Sequence, residues 1–234
     1  MDTIRQVVES IQLGLFDFDK RIPRPEEVWG VVAGKMPGFF DKTPTILPND
    51  DAPENDSRWI LKLDSTQRFS LMVARSRADF CVTGFGPQTI GDVRAGFVEH
   101  SSEFAELFLA QQAKRVGLIV RLFYPTNSPH VMTARMLNDE VADEHFSSVA
   151  VTYVAHKDFG EIPVNDNTMV ESAATANIAG MGLNLSVVHV VRDLNVANGA
   201  SWASTRESVD QFLKWAFDSL GMEKLEGLLC KTRE

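Results

Sequence analysis

The stretch Val116-Gly117-Leu118-Ile119-Val120-Arg121-Leu122-Phe123-Tyr124 has the composition of a β-strand from the interior of a sheet. Its odd and even positions are both apolar, a pattern typical of strands that are covered on both faces. Arg121 is the single charged residue in the run, and Pro125 ends it. We therefore place this strand at the centre of the predicted sheet.

A second central strand is predicted over residues 7–18, where Ile11, Leu13 and Leu15 recur at every second position. Shorter alternations of apolar and polar residues, separated by turn-like segments, predict the remaining strands. These strands cover residues 58–64, 69–73, 78–82, 148–156, about 168–178 and 183–194. Because the connections between them are short, the predicted sheet is antiparallel.

Four helices are predicted from apolar residues that recur at three- and four-residue spacing. They cover residues 25–35, 90–113, 130–142 and 204–220, and a short, weakly amphipathic tail occupies 222–234. Pro25 suits the first position of a helix, and Gly221 suits the position just after one. Ser204 is predicted to cap the last long helix because Glu207 stands three residues later.

A glycine-rich segment, Gly84-Phe85-Gly86-Pro87-Gln88-Thr89, approximates a dinucleotide-binding loop. The third glycine of that motif is replaced by Thr89, and hairpin strands precede the segment where a βαβ unit is required. We therefore interpret it as a turn whose Thr89 caps the helix predicted over 90–113.

The order of the predicted elements repeats along the chain. Residues 1–114 read strand, helix, three strands and long helix, and residues 115–221 read the same order again before the tail 222–234. Each half leaves one apolar sheet face for its long helix to cover. The predicted fold is α+β, with two βαβββα pseudo-repeats that form a curved antiparallel sheet, long helices on one face, and one continuous domain.

This topology resembles duplicated βαβββ architectures such as the TATA-binding-protein-like and bacterial effector-binding (GyrI-like) folds. The resemblance concerns the order of elements alone, so it transfers no residues and no activity.

Three short phrases resemble those of a sporadically distributed bacterial family of roughly this length. They are Arg75-Ser76-Arg77-Ala78-Asp79-Phe80, Arg115-Val116-Gly117-Leu118-Ile119 and Arg192-Asp193-Leu194-Asn195. That family has no known activity to carry over. Its scattered distribution implies genes of mobile elements or of phage conflict.

The chain of 234 residues carries 23 Lys and Arg against 32 Asp and Glu, a net charge of −9. An acidic surface repels phosphates, so nucleic acid is not an expected partner. Cys81 and Cys230 are far apart, as is usual for free thiols in a reducing compartment. Since the sequence has neither a leader pattern nor an apolar run of the ~20 residues that span a membrane, we expect a cytoplasmic protein.

No complete catalytic or metal-binding motif occurs in the sequence. The five histidines lack the spacing of zinc proteases, and there is no Gly-x-Ser-x-Gly elbow. Asp143-Glu144-His145 comes nearest to a metal site, and we interpret it as a solvated face. We therefore predict no cofactor, no metal and no catalytic residue.

Five polar residues in or near the predicted strands are candidates for ligand binding. His189 and Asp193 share a strand face, and Arg121 interrupts the central strand. A charge inside a sheet costs free energy unless it is paired, so each candidate also has a purely structural interpretation, as Arg77 and Asp79 do if they pair on one strand. The candidates are Arg121, His156, His189, Arg192 and Asp193.

The leading hypothesis is a non-catalytic binding protein of bacterial or phage origin. It would bind a protein partner, a small molecule, or a second copy of itself through an edge strand. One alternative is an enzyme whose dispersed site uses the five candidates, and another is a small-molecule effector-binding module. The acidic stretch 41–57 is a further candidate for recruiting a basic partner.

Overall fold

The sheet is built outward from two central strands, β1 (Val7–Phe18) and β6 (Ala113–Pro125). They pair in antiparallel orientation, with Leu13 opposite Leu118 and Gly14 opposite Gly117. The computed structural model describes residues 6–47, 58–134, 136–137, 148–178, 180–181 and 184–229. Both strands predicted to be central are confirmed in that position.

Apart from the two-residue strand β2 and the last helix α5, the other elements follow each central strand in the same order. After β1 come α1 (Pro25–Lys35), β2 (Thr45–Ile46), β3 (Leu61–Asp64), β4 (Phe69–Val73), β5 (Arg77–Thr83) and α2 (Ile90–Phe108). After β6 come α3 (Pro129–Ala134), β7 (Ala150–Phe159), β8 (Ile162–Asn177), β9 (Asn184–Val196), α4 (Arg206–Ser219) and α5 (Met222–Leu229).

The nine described strands form one antiparallel sheet in the order β2-β3-β4-β5-β1-β6-β9-β8-β7. In each half the last strand of the hairpin series returns to lie beside that half's central strand. The second half is therefore arranged as a rotated copy of the first, with the β1–β6 pair between them. The predicted α+β fold with two βαβββα pseudo-repeats is confirmed.

Long helices cover one face of the sheet, which we call the helix face; the opposite face is the helix-free face. Arg94 of α2 contacts Asp218 of α4 at 3.0 Å, and Arg206 contacts Glu106 at the other end of the helix pair. The two helices thus run antiparallel, and between them Phe97 packs on Phe217.

The main core lies between these helices and the sheet. On β1 and β6 it takes every second residue, so that Leu13, Leu15 and Leu118 are fully buried. A smaller apolar cluster lies on the helix-free face, where Val7, Phe123, Ile178 and Val187 pack together. The period of two along each strand is what separates the two clusters.

Both long helices begin with a threonine. Thr89 is the N-cap of α2, as predicted, and it forms a capping box with Asp92. In α4 the N-cap is Thr205, whose hydroxyl accepts a hydrogen bond from the Ser208 backbone, so the predicted cap Ser204 is wrong by one residue. Leu220 ends α4, and Gly221 follows it with a φ of +59°, as expected of a glycine after a helix.

Several predicted boundaries are corrected by the structure. The helix predicted to reach 113 ends at Phe108 because a short 3-10 turn and then Gln112, at a φ of +56°, interrupt it. β8 begins at Ile162, well before 168, since the turn from β7 takes only Gly160 and Glu161. The two-residue strand β2 was not predicted. The first part of the helix predicted over 130–142 is α3 (Pro129–Ala134), and residues 135 and 138–142 lie outside the described residues.

Candidate functional site

The five predicted binding residues do not share one face of the sheet. Cross-strand pairing places Arg121, His189 and Asp193 on the helix-free face, together with His156 near the end of edge strand β7. Arg192 lies on the helix face, because it alternates with its neighbours along β9 and stands opposite the buried Val120. Its grouping with the other four is therefore corrected.

His189 is held between two carboxylates on the helix-free face. Its Nδ1 lies 2.9 Å from Glu171 Oε1, and its Nε2 lies 3.0 Å from Glu9 Oε2. Glu171 stands directly across on β8, whereas Glu9 is the extra residue of a bulge in β1. A bulge re-aims a side chain, and this one turns Glu9 toward His189. The imidazole also packs on Phe123.

Two opposing effects act on the protonation of His189. Burial lowers the pKa of His189, but the hydrogen bonds to Glu9 and Glu171 outweigh burial, so that the pKa lies above its ordinary value. Only the protonated ring can donate through both nitrogens. The trio therefore works as a clasp that joins β1, β8 and β9.

A second chain of polar contacts crosses β6, β1 and β5. Arg121 Nη1 lies 3.2 Å from Gln12 Oε1, and Gln12 Nε2 donates to Asp79 Oδ1 at 2.7 Å. Asp79 is fully buried and also pairs with Arg77, as predicted for these two residues. Burial raises the pKa of Asp79, although Arg77 and Gln12 oppose the shift. Arg121 is thus engaged in bracing the sheet.

Phe16 covers the middle of the helix-free face. A Cβ on Gly14 would lie 2.4 Å from the Phe16 ring, and one on Gly117 would lie 3.3 Å from it. The guanidinium groups of Arg77 and Arg115 lie 4.8 Å and 5.9 Å from the ring centroid. The paired glycines therefore make room for an aromatic ring that two arginines hold in place.

The remaining candidates on this face stand apart. Asp193 accepts a hydrogen bond from Asn195 at 3.0 Å, and His156 is exposed. Asp193 stands four positions after His189 on β9, a spacing of about 13 Å at the rise of a β-strand. The structure thus does not assemble the candidates into one reacting group, which weakens the alternative of an enzyme with a dispersed site.

On the helix face, Arg192 belongs to a buried ion cluster at the end of α4. Its Nη2 lies 2.7 Å from Asp166 Oδ2, and Lys157 Nζ lies 2.7 Å from the same oxygen. Both cations also donate to α4 carbonyls, Arg192 to that of Leu220 and Lys157 to that of Ser219 at 2.7 Å. The cluster anchors α4 to β7, β8 and β9.

Beside this cluster lies a cavity of about 200 Å³ between the sheet and the α4–α5 joint. A larger cleft of about 660 Å³ lies at the start of α1, and its lining includes Arg21, Arg24, Arg75, Glu26 and Glu27. Three cationic and two anionic side chains thus line the larger cleft, a smaller imbalance of charge than three cations against one carboxylate in the smaller cavity.

The helix-free face offers no reactive thiol or metal site among the residues described. Cys81 is buried there, and burial raises the pKa of its thiol to about 11, which keeps it protonated near neutral pH. Within the described ranges no group of three His, Cys, Asp or Glu side chains could hold a metal ion. His145 and Cys230 lie outside those ranges.

The outer strand β7 is the most exposed strand of the sheet's second half. It forms one edge of the sheet and, among the described strands, pairs with β8 alone. Two large hydrophobic residues of β7 are exposed, Tyr153 at 40% and Val154 at 56%. The opposite edge is β2, which has two residues.

Sequence reasoning missed several residues that complete these contacts. Gln12 had a usable signal, since a polar residue between Ile11 and Leu13 must face the opposite side of the strand. The bulge that re-aims Glu9 has no such signal. Asp166 lies outside the predicted strands 148–156 and 168–178, and Asn165-Asp166-Asn167 has turn composition that hides the strand.

No helix in the described part of the chain is both long enough and apolar enough to cross a membrane. No protein-family model matches this chain, and the comparisons with curated proteins and with solved structures find no significant match.

Proposed function

We propose that this chain is a non-catalytic interaction protein that works as a homodimer, with two copies joined edge to edge through β7. We place it in a bacterial or phage setting, in mobile-element or phage-conflict genes, on the resemblance of its short phrases to such a family. The observation that carries the homodimer is the exposed edge of β7, whose first six residues, 150–155, are uncharged and β-prone.

An edge strand presents unpaired backbone N–H and C=O groups, and proteins usually protect it. The usual protections are a short strand, a proline, a bulge, or charged side chains. β2 is short, but β7 has ten residues, and residues 149–155 read Val-Ala-Val-Thr-Tyr-Val-Ala without charge or proline. The contrast between the two edges supports β7 as the surface that pairs.

The favoured occupant is a second copy, because the strand is complementary to itself. A twofold axis normal to the sheet pairs two β7 strands antiparallel and keeps both faces continuous. With Val154 opposite its own copy, Lys157 stands opposite Val151 and Asp158 opposite Ala150, so no like charges meet. Both the helix layer and the sheet then extend across the pair.

Non-catalytic action fits the polar contacts of the helix-free face. Arg121, Asp79 and His189 are each bonded to neighbouring side chains, so they brace the sheet. A broad braced face suits recognition of a protein partner better than it suits bond-making chemistry.

The test compares two lysine substitutions by light scattering over a dilution series. Val154→Lys places a charge on the pairing edge and should give a monomer. Val31→Lys makes the same change at a position on α1 that is 46% exposed, and this variant should remain dimeric like the unmodified chain. A monomeric unmodified chain, or a Val154→Lys dimer as tight as the Val31→Lys dimer, would refute the proposal.

A cysteine variant tests the register. With Val154 opposite its own copy, Val154→Cys should oxidise to a covalent dimer, since residues directly opposite have Cβ atoms about 4.5–5.5 Å apart. Val31→Cys is the control for random collision. Equal rates of cross-linking in the two variants would argue against this pairing.

A further inference from the structure

The cavity beside the buried ion cluster has an imbalance of charge. Its walls include Lys157, Arg192 and Lys224, and the only carboxylate in the described lining is that of Asp166. Arg192 is 6% exposed, so its charge is largely removed from water. The cavity thus gathers three cations around one anion.

The end of α4 compensates part of this excess. The carbonyls of Ser219 and Leu220 accept hydrogen bonds from Lys157 and Arg192, and a helix C-terminus is equivalent to about half a negative charge. Asp166 supplies one full negative charge. The buried Arg192 and the partly buried Lys157 therefore face about one and a half negative charges, before Lys224 is counted.

Lys224 adds its charge at the open side of the cavity. It lies in the first turn of α5, its side chain is exposed, and it forms no ion pair within the described ranges. A buried or partly buried cation is stabilised by an anion that approaches it. An anion in this cavity would meet the unpaired ammonium group of Lys224 beside the partly buried ammonium group of Lys157 and the buried guanidinium of Arg192.

The remaining walls are apolar and the space is small. Tyr153, Ala155, Leu220 and Leu225 line it, and its volume of about 200 Å³ lies below the range for drug-sized ligands. Inorganic phosphate has no apolar part that could contact these apolar walls. A compact apolar body with one carboxylate matches both the charge and the walls.

We propose that this cavity binds a small organic monocarboxylate with an apolar body, whose carboxylate lies toward Lys224 and Arg192. The inference does not require the proposed dimer, because the whole lining comes from one chain. Tyr153, Ala155 and Lys157 of the lining belong to β7, but they line the cavity with their side chains, whereas the proposed dimer pairs the backbone edge of that strand. It assigns a ligand role to Arg192, apart from the other predicted candidates.

Benzoate is the probe, benzamide its neutral counterpart, and inorganic phosphate the probe for a plain anion site. Binding is followed by two-dimensional NMR of the full chain. Benzoate should shift the amide signals of Tyr153, Ala155 and Leu225 in a saturable way, and benzamide should bind at least tenfold more weakly. Equal binding of benzamide, or binding of phosphate without benzoate, would overturn the proposal.

Two variants locate the site. Lys224→Gln should weaken benzoate binding about tenfold, the loss of one charged hydrogen bond. Lys214→Gln makes the same change on an exposed part of α4 outside the cavity and should bind like the unmodified chain. Equal affinity in the two variants would overturn the assignment of Lys224.

Ala155→Leu should abolish benzoate binding by filling the cavity, with the fold checked by its NMR spectrum. Retained binding in a folded Ala155→Leu chain would place the ligand elsewhere. The Val154→Lys variant separates the two proposals, since it should lose dimerisation and still bind benzoate.

Discussion

At the scale of single residues, the hydrogen bonds of His189 to Glu9 and Glu171 join three strands. Both bonds form together only when the imidazole ring is protonated. When the imidazole ring is neutral, one of its nitrogens carries no hydrogen and cannot donate to the carboxylate that it faces. One of the two hydrogen bonds is then lost. The ring therefore keeps its proton to a higher pH in the folded chain than in the unfolded chain. The clasp is strongest in acid and weakens as the pH rises.

The first prediction concerns the titration of His189. Glu171→Gln removes one of the groups that raise the pKa of His189, so its pKa should fall relative to the unmodified chain. Proton NMR of the imidazole across the pH range measures this, with the signal assigned by His189→Gln. Glu161→Gln, on the exposed β7–β8 turn, is the charge-matched control and should leave the titration unchanged.

A second prediction follows for stability. Because the folded-state pKa is raised above the ordinary 6.5, the contribution of His189 is complete below about pH 6.5 and is lost as the pH rises through the raised pKa. The difference in unfolding free energy between the unmodified chain and His189→Gln should therefore shrink from pH 5.5 to pH 8.5. These two values lie roughly one unit below and two units above the ordinary histidine pKa. Urea denaturation at both pH values measures it, and a difference that grows with pH would contradict the clasp.

At the scale of elements, the two long helices depend on their threonine caps. Thr205→Ala removes the hydroxyl that accepts the Ser208 N–H and should cost about 1 kcal/mol of unfolding free energy. Ser204→Ala is the matched control, since the buried Ser204 hydroxyl has no hydrogen-bond partner among the described residues. Urea denaturation of both variants decides which residue is the cap. A larger loss of unfolding free energy in Ser204→Ala than in Thr205→Ala would show that Ser204 is the cap, as the sequence predicted.

Ser204 and Thr205 also show how precisely the sequence alone can predict where a helix begins. Thr89 was correctly expected to cap α2, but at α4 Ser204 and Thr205 both suit a cap, and only the path of the chain into α4 decides between them. The start of β8 was predicted too late, at about residue 168, for a similar reason. Its first residues include Pro163 and Asn165-Asp166-Asn167, which locally favour a turn, and pairing with β7 and β9 overrides that preference.

The binding candidates were less predictable than the strands that carry them. Alternation correctly put His189 and Asp193 on one face, because the period of a strand is a local property. The bulge at Glu9 and the burial of Arg192 against Asp166 depend on neighbours far along the chain. No local pattern contains that information.

At the scale of the whole molecule, two antiparallel pairs hold the halves together: β1 with β6 in the sheet and α2 with α4 above it. Leu118 is fully buried at this junction. Leu118→Ala should cost about 2–5 kcal/mol, as expected for a large-to-small change in a core. If the halves unfold as one unit, amides of β4 and β8 should lose hydrogen-exchange protection equally.

The control for this prediction is Leu71→Ala, which is fully buried in β4 and lies in the first half alone. In a single cooperative unit it should also lower protection in both β4 and β8. Loss confined to one half in either variant would show that the halves unfold separately.

The unequal lengths of the two outermost strands limit how large an assembly can grow. A sheet with two long free rims adds neighbours on both sides and extends into a filament. Among the described strands one rim has ten residues and the other two, so once the long rims of two copies have met, the described sheet leaves no comparable rim to recruit a third. The β7 pairing proposed above would therefore end in a closed pair, and the measured mass should reach a plateau at two chains however concentrated the solution becomes.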